Sequence, residues 1–291
     1  MDKPGKTRWR LIQYADHDAA TNMAIDEAIL ESHIQGLVPP TVRLYGFKPA
    51  AVSIGYAQKL DQEVVARIDA AKLDLVRRPT GGRAVLHMLD LTYSFVGTAY
   101  STRADQLSGA EPSEAFLSSS IVGAYKQICQ GLVGALESLG VTTELGVSDA
   151  SYRQLQDCFL ATTTADLHHH GKKLVGSAQL RRGKGVLQHG SLLLNQDQRM
   201  MDQLLSGQAG ENVDLSECTR IRHANLFEIA GQEIEINTLE AAIKSGFERA
   251  FSVELDRDQL SESEKELANR LRAKYICAVS DVDGKVQHIG A

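Results

Sequence analysis

From Val141 to Leu194 the chain is strand-like in texture throughout: VTTELGV, CFLATTTADL, KKLVGSAQLRR and GVLQHGSLLLN follow one another, punctuated by Gly171 and by Gly183-Lys184-Gly185. Short alternating runs divided by glycine turns predict strands, with one hairpin tip near Leu167 to Gly171. Helical patterns stand around this block. Thr21 to His33 puts Met23, Ile25, Ala28, Ile29 and Leu30 largely on one stripe and ends at Gly36 and Pro39-Pro40. Glu111 to Gly140 carries a long apolar face from Phe116 through Ile128 to Leu136, with Gly140 as its cap. Thr238 to Phe251 is a further amphipathic helix. Ser261 to Tyr275 is charged, with little beyond Leu267 and Leu271 to bury, which predicts a place on the surface. TVRLYGF, AVSIGYA, DLVRR and Leu91 to Ala99 read as strands, and Asp61 to Ala71 as a short helix. Strands and helices mixed without regular alternation give an α+β class, with mixed or antiparallel sheets and flanking helices.

A chain of 291 residues fills one large domain, or one domain with an appendage. No apolar run is long enough to span a bilayer, and the opening MDKPGKTRWR has no apolar core behind its basic start. A cytoplasmic protein without membrane contacts is expected, with a monomer as the default. A net charge of −6 argues against nucleic acid as a partner. The four cysteines, Cys129, Cys158, Cys218 and Cys277, form no CxxC pair, so neither a zinc site nor a disulfide framework is expected. His168-His169-His170 cannot all face one ion, and no metal or other cofactor is expected.

Arg77 to His87, RRPTGGRAVLH, sets a glycine pair among three arginines between two strands. Backbone N–H groups beside glycines approach a ligand closely, and arginines can fork onto a carboxylate or phosphate. The stretch therefore reads as a cradle for a polar ligand, or else as a glycine-rich hairpin with solvated arginines. It has neither the order of a Walker loop nor that of a dinucleotide site.

RRPTGGRAVLH, LTYS, GKKLVGSAQ and GVLQHGSLLL, in this order, resemble the biotin/lipoate protein ligase family, most nearly its octanoyltransferases of the LipM type. NMAIDEAIL, VRLYGF and SIGYAQ look like that family's opening, so the resemblance runs from about Trp9 to the last helix. It implies a catalytic domain over residues 1–255 with the biotin/lipoate ligase fold, akin to class II aminoacyl-tRNA synthetases. A helical extension over 256–291 would pack on the same domain. The glycine loop and the KKLVGSA strand would wall an acyl slot lined by Arg78, Thr80, Gly81, Gly82, Arg83, His87, Gly176, Ser177, Ala178 and His189.

The implied activity moves an octanoyl group from octanoyl-acyl carrier protein to a lysine of a lipoyl carrier domain, such as glycine cleavage H protein, without ATP. Cys158 matches the family's acyl-accepting thiol, and Lys173 the lysine that favours its thiolate and holds the acyl carbonyl. Alternation along the strand turns Lys172 the other way. His87 and His189 would shape the slot by hydrogen bonds. Met88 departs from the family, whose members often carry Asp after this histidine. Cys129, inside an amphipathic helix, reads as core. Two other readings remain: an ATP-dependent lipoate–protein ligase, in which Cys158 would be a buried apolar residue, and a non-catalytic binder of acyl carrier or lipoyl domains.

Overall fold

A computed structural model of the chain describes residues 7–102, 116–146, 166–195, 199–207 and 223–276. Among these the strands form two sheets. The large sheet begins with β1 (Arg8–His17), paired in parallel with β11 (Glu254–Asp258) on one side and β2 (Thr41–Phe47) on the other. It continues antiparallel through β6 (Asp90–Thr98), β10 (Gly185–Leu193), β9 (Lys172–Arg182), β8 (Leu167–His169) and β7 (Glu144–Leu145). The small sheet sets β3 (Ala51–Ile54) between β4 (Asp74–Arg77), parallel, and β5 (Val85–His87), antiparallel.

Alternation along the large sheet divides its side chains between two cores. Leu44, Phe95 and Val186 face α3 (Ile121–Ser138) and α6 (Ile236–Phe251), where Ile128, Leu132, Ile243 and Phe247 are buried. Trp9 joins this side, with its ring 4.6 Å from Phe116 and 4.8 Å from Phe251. Tyr45, Val96 and Leu187 face the other way, onto α1 (Ala19–Ile34). A third cluster closes the small sheet: Val52, Ile54 and Leu86 pack on α2 (Gln62–Ala70) and on Met201 and Leu204 of α4 (Arg199–Ser206). The short α5 (Leu226–Ala230) is capped by Asn225.

Two helices depart from their patterns. α1 is buried on nearly every side, well beyond its apolar stripe, because α7 (Glu262–Tyr275) covers one flank of it. Glu27 on that flank accepts from Lys274 at 2.8 Å and from the Tyr275 hydroxyl at 2.5 Å. α7, expected on the surface, is anchored through polar groups: Glu264 closes a capping box with Ser261 and pairs with Arg10 at 2.6 and 2.8 Å. The 255/256 junction falls inside β11. Of the expected Glu111–Gly140 helix, residues 116–140 are described and the helix starts at Ile121, capped by Ser120. The expected CFLATTTADL strand lies outside the described residues up to Ala165.

Candidate active site

A cavity of about 350 Å³, including its mouth, opens where the two sheets meet. Met23, Phe47 and Val85 give it apolar wall, while Ser53, His87, Thr92, His189 and Ser191 give it polar wall. Gly176 to Ala178 of β9 and Gly190 of β10 complete it. A Cβ on Gly190 would stand 2.6 Å from both the Gly176 carbonyl oxygen and Ser177 Oγ, so only glycine keeps these strands paired here.

The loop from Arg77 to His87 borders this cavity, and its first two arginines organise it from within. Arg77 Nη1 donates to the carbonyls of Gly55, Tyr56 and Gln58 at 3.1, 3.1 and 2.6 Å. Arg78 donates to the carbonyls of Ser53 and Arg83 at 3.0 and 2.7 Å, and twice to that of Gly81 at 3.1 and 2.9 Å. The forks therefore grip backbone of the chain itself. Gly82 takes φ +96, and a Cβ on Gly55 would collide with the Gly82 carbonyl, so the turn is closed as tightly as glycine allows.

Two lines of polar groups fix the wall. Thr80 Oγ1 lies 2.7 Å from His189 Nε2, and His189 Nδ1 lies 3.1 Å from Asp26 Oδ2. Asp26 also accepts from Arg43 at 2.7 Å, Ser94 at 2.8 Å and Tyr45 at 2.9 Å. Burial opposes charge on Asp26, yet Arg43, His189 and Ser94 hold its carboxyl below the usual carboxylate range. Burial lowers the His189 pKa against the pull of Asp26, so the neutral ring gives its Nδ1–H to Asp26 and accepts the Thr80 hydroxyl at Nε2. The second line runs from Ser53 Oγ, 2.8 Å from His87 Nε2, to Asp90 Oδ2, 2.8 Å from His87 Nδ1. Ser191 donates to the same Asp90 oxygen at 2.6 Å, and the His87 ring stacks on Phe47 at 4.0 Å.

Lys173 sits behind the β9 wall. The hairpin tip is a two-residue turn, His170 at φ +48 and Gly171 at φ +76, the left-handed pair that a tight β-hairpin favours. Alternation from there leaves Lys172 exposed and Lys173 only 1% exposed. Its Nζ lies 2.9 Å from Asp166 Oδ2. Cys129, on α3, is buried, and burial together with nearby Asp166 pushes its thiol up to about 12. Cys158, Cys218 and Cys277 lie outside the described residues. Of the three histidines, His168 is buried, His169 Nδ1 lies 2.7 Å from the Thr142 carbonyl, and His170 forms the turn. Among the described residues no group of three or more His, Cys, Asp or Glu could hold a metal ion.

Residues 18–248 match the family described as the lipoyl protein ligase A/B catalytic domain. The chain belongs to this family. An octanoyltransferase LipM of Kyrpidia tusciae is 37% identical over 92% of this chain and 96% of its own length. One from Symbiobacterium thermophilum is 36% identical over 94% and 97%. Among solved structures, a lipoate-protein ligase A bound with ATP superposes with a TM-score of 0.70 at 25% identity, covering 92% of this chain and 95% of its own. A bipartite lipoate protein ligase of Thermoplasma acidophilum shares the fold, with a TM-score of 0.72 at 22% identity over 98% and 100%.

In this lipoyl-ligase-type domain the structure brings Arg78, His87, Gly176, Ser177, Ala178 and His189 to one cavity, with Thr80 bonded to His189 behind the wall. Gly81 and Arg83 contribute carbonyls that fold the loop. Sequence reasoning missed three carboxylates: Asp26, Asp90 and Asp166. Asp90 had a signal, since it follows His87 by three residues and stands two before Thr92, another donor to it. Met88 packs against the small core, and the carboxylate beside His87 comes from Asp90.

Proposed function

We propose that the chain is an octanoyltransferase of lipoate assembly, carrying an octanoyl group from acyl carrier protein to a lysine of a lipoyl carrier domain. The observation that carries this reading is the match to octanoyltransferases over almost the full length of both chains. In the proposed sequence of steps the Cys158 thiolate attacks the donor thioester, and the carrier's thiol leaves with a proton. The acceptor lysine, as a free amine, then attacks the enzyme thioester; an amide forms, the amine proton is lost and the Cys158 thiolate is released.

Lys173 serves both steps. A buried ammonium favours the thiolate over the thiol, and its N–H groups can hold the acyl oxygen as it gains negative charge. The mixed apolar and hydroxyl wall would take the acyl chain and its head, while His87 and His189, each backed by a carboxylate, keep that wall in place. On this reading the enzyme works in the cytoplasm, beside its carrier-protein substrates.

Intact-mass measurement after mixing with octanoyl-acyl carrier protein, without ATP, tests it. A hydroxylamine-labile octanoyl adduct is expected on the unmodified protein and not on Cys158→Ala. The ligase-like superposition at 25% identity favours one other reading, ATP-dependent activation of a free acid. No adduct, together with acyl-adenylate formation from ATP and free acid, would establish that one.

A further inference from the structure

The Lys173 ammonium is withdrawn from water along with the Asp166 carboxylate; both side chains are 1% exposed, with Nζ and Oδ2 2.9 Å apart. Desolvating two such charges costs several kcal/mol per ion, so a buried pair is weak support for a fold that an apolar pair would serve as well. A local device of the chain builds this one. β8 starts directly after Asp166, and its register against β9 shifts between Leu167 and His168. Across that shift the other Asp166 oxygen accepts the Ser177 N–H at 3.4 Å. Ser177 lines the cavity, and its Oγ lies 2.8 Å from the Tyr93 hydroxyl, which accepts from Gln188 at 2.8 Å. Asp166 therefore bridges Lys173 to the wall against which an acyl group would lie.

We propose that Asp166 is a positioning residue for acyl transfer: its carboxylate fixes the Lys173 ammonium behind the β9 wall of the cavity and keeps the proton on it. This rests on the reading of Lys173 given above. Taking away a carboxylate 2.9 Å from an ammonium this deeply buried shifts the lysine toward the neutral amine, because burial disfavours the charged form. A neutral Lys173 would neither favour a thiolate nor stabilise an oxyanion.

The groups facing this corner come from several elements. His168 is opposite Lys173 in register, His223 bridges it from the other side, and Glu144 acts on His168 from β7. Cys129 of α3 and Tyr93 of β6 feel Asp166, and burial raises the pKa of both, which keeps them protonated. Burial lowers the pKa of His168, so its ring is neutral near pH 7.

The test measures transfer rate against pH, with kcat and KM separated, for Asp166→Asn and Asp166→Glu, each checked for folding by thermal melting. Asp166→Asn is expected to lower kcat about tenfold or more at neutral pH and to move the acid limb of the profile up by about one to three units. KM for the carrier protein should change little. Asp166→Glu keeps the charge and should restore the position of the limb. A folded Asp166→Asn protein with an unmoved profile overturns the proposal. Should the Asn variant not fold, Asp166→Ser is read in its place: a limb moved up by about a unit or more supports the proposal, and an unmoved limb overturns it. Lys173→Met separates the two ideas. If that variant transfers at the unmodified rate, the reading of the site is wrong; if it is inactive while Asp166→Asn is unaltered, only the positioning role is wrong.

Discussion

A hydroxyl, an imidazole and a carboxylate stand in line twice along the cavity wall, as Thr80–His189–Asp26 and as Ser53–His87–Asp90. The same kind of line serves nucleophilic enzymes, but here each hydroxyl is bound to its ring inside the wall, and the lines hold the wall's shape. Lys173 is the group assigned the electrostatics of transfer. Lys173→Met is expected to lower kcat by about 10²–10³-fold, the cost of losing one oxyanion donor, while exposed Lys172→Ala leaves the rate within about twofold because surface changes are felt weakly. Parallel kinetics of the two neighbours checks this. The His189 line also predicts how stability depends on pH. Its folded pKa lies below the unfolded value, so its contribution is full above about pH 6.5 and is lost as pH falls, when the unfolded ring takes a proton that the folded ring refuses. Asp26 adds a loss of the same sign lower down, present above the ordinary carboxylate range and lost as pH falls through its depressed folded value. Urea midpoints should fall from pH 7.5 to 5, and His189→Gln should flatten that fall; His17 and His168, also lowered, leave a residual slope. An equal slope in the variant would dissociate His189 from the effect.

At the scale of elements, the crossing of α3 and α6 shows how little a propensity scale decides once helices touch. Glycine inside a helix ordinarily costs about 1 kcal/mol against alanine. Gly134→Ala on α3 should gain part of that, since its Cβ would stand 3.6 Å or more from its nearest neighbours. Gly246→Ala on α6 should instead cost about 1–3 kcal/mol, because its Cβ would collide with the Gly131 carbonyl and force the helices apart. Denaturant titrations of the two variants should shift in opposite directions. Sequence reasoning met a similar limit. β9 and β10 were legible because turn glycines mark their ends and alternation marks their faces, and α6 because its apolar stripe is continuous. β1 with β11 was not, since they pair in parallel across the length of the chain and no local turn announces them. The glycine loop was legible as a tight turn between two strands, but the use of Arg77 and Arg78 was not; guanidinium groups gripping carbonyls and guanidinium groups awaiting an anion have the same sequence. Asp26 and Asp166 were hidden for a related reason. A buried carboxylate is distinguished by its partners, and Arg43, His189 and Lys173 come to them from other elements.

At the scale of the molecule, α7 is bound to β1 and α1 by charge as well as by apolar contact. The Arg10 and Glu264 side chains are 3% and 0% exposed, and Glu27 is shared by Arg182, Lys274 and Tyr275. α1, between them, presents Met23 to the cavity and Asp26 to His189. Removing one partner of a buried pair is costly because the other charge stays behind: Glu264→Ala should lower stability by about 3–5 kcal/mol. Arg10→Met with Glu264→Leu should recover most of that, since an apolar pair avoids the desolvation altogether. Hydrogen exchange tells whether α7 is an appendage or part of the domain. If it belongs to the domain, Glu264→Ala will raise exchange in α7 and α1 together, and transfer activity will fall at temperatures below global unfolding as the Asp26–His189 line loosens. If α7 alone gains exchange and activity holds, residues beyond β11 are an extension that the cavity does not need.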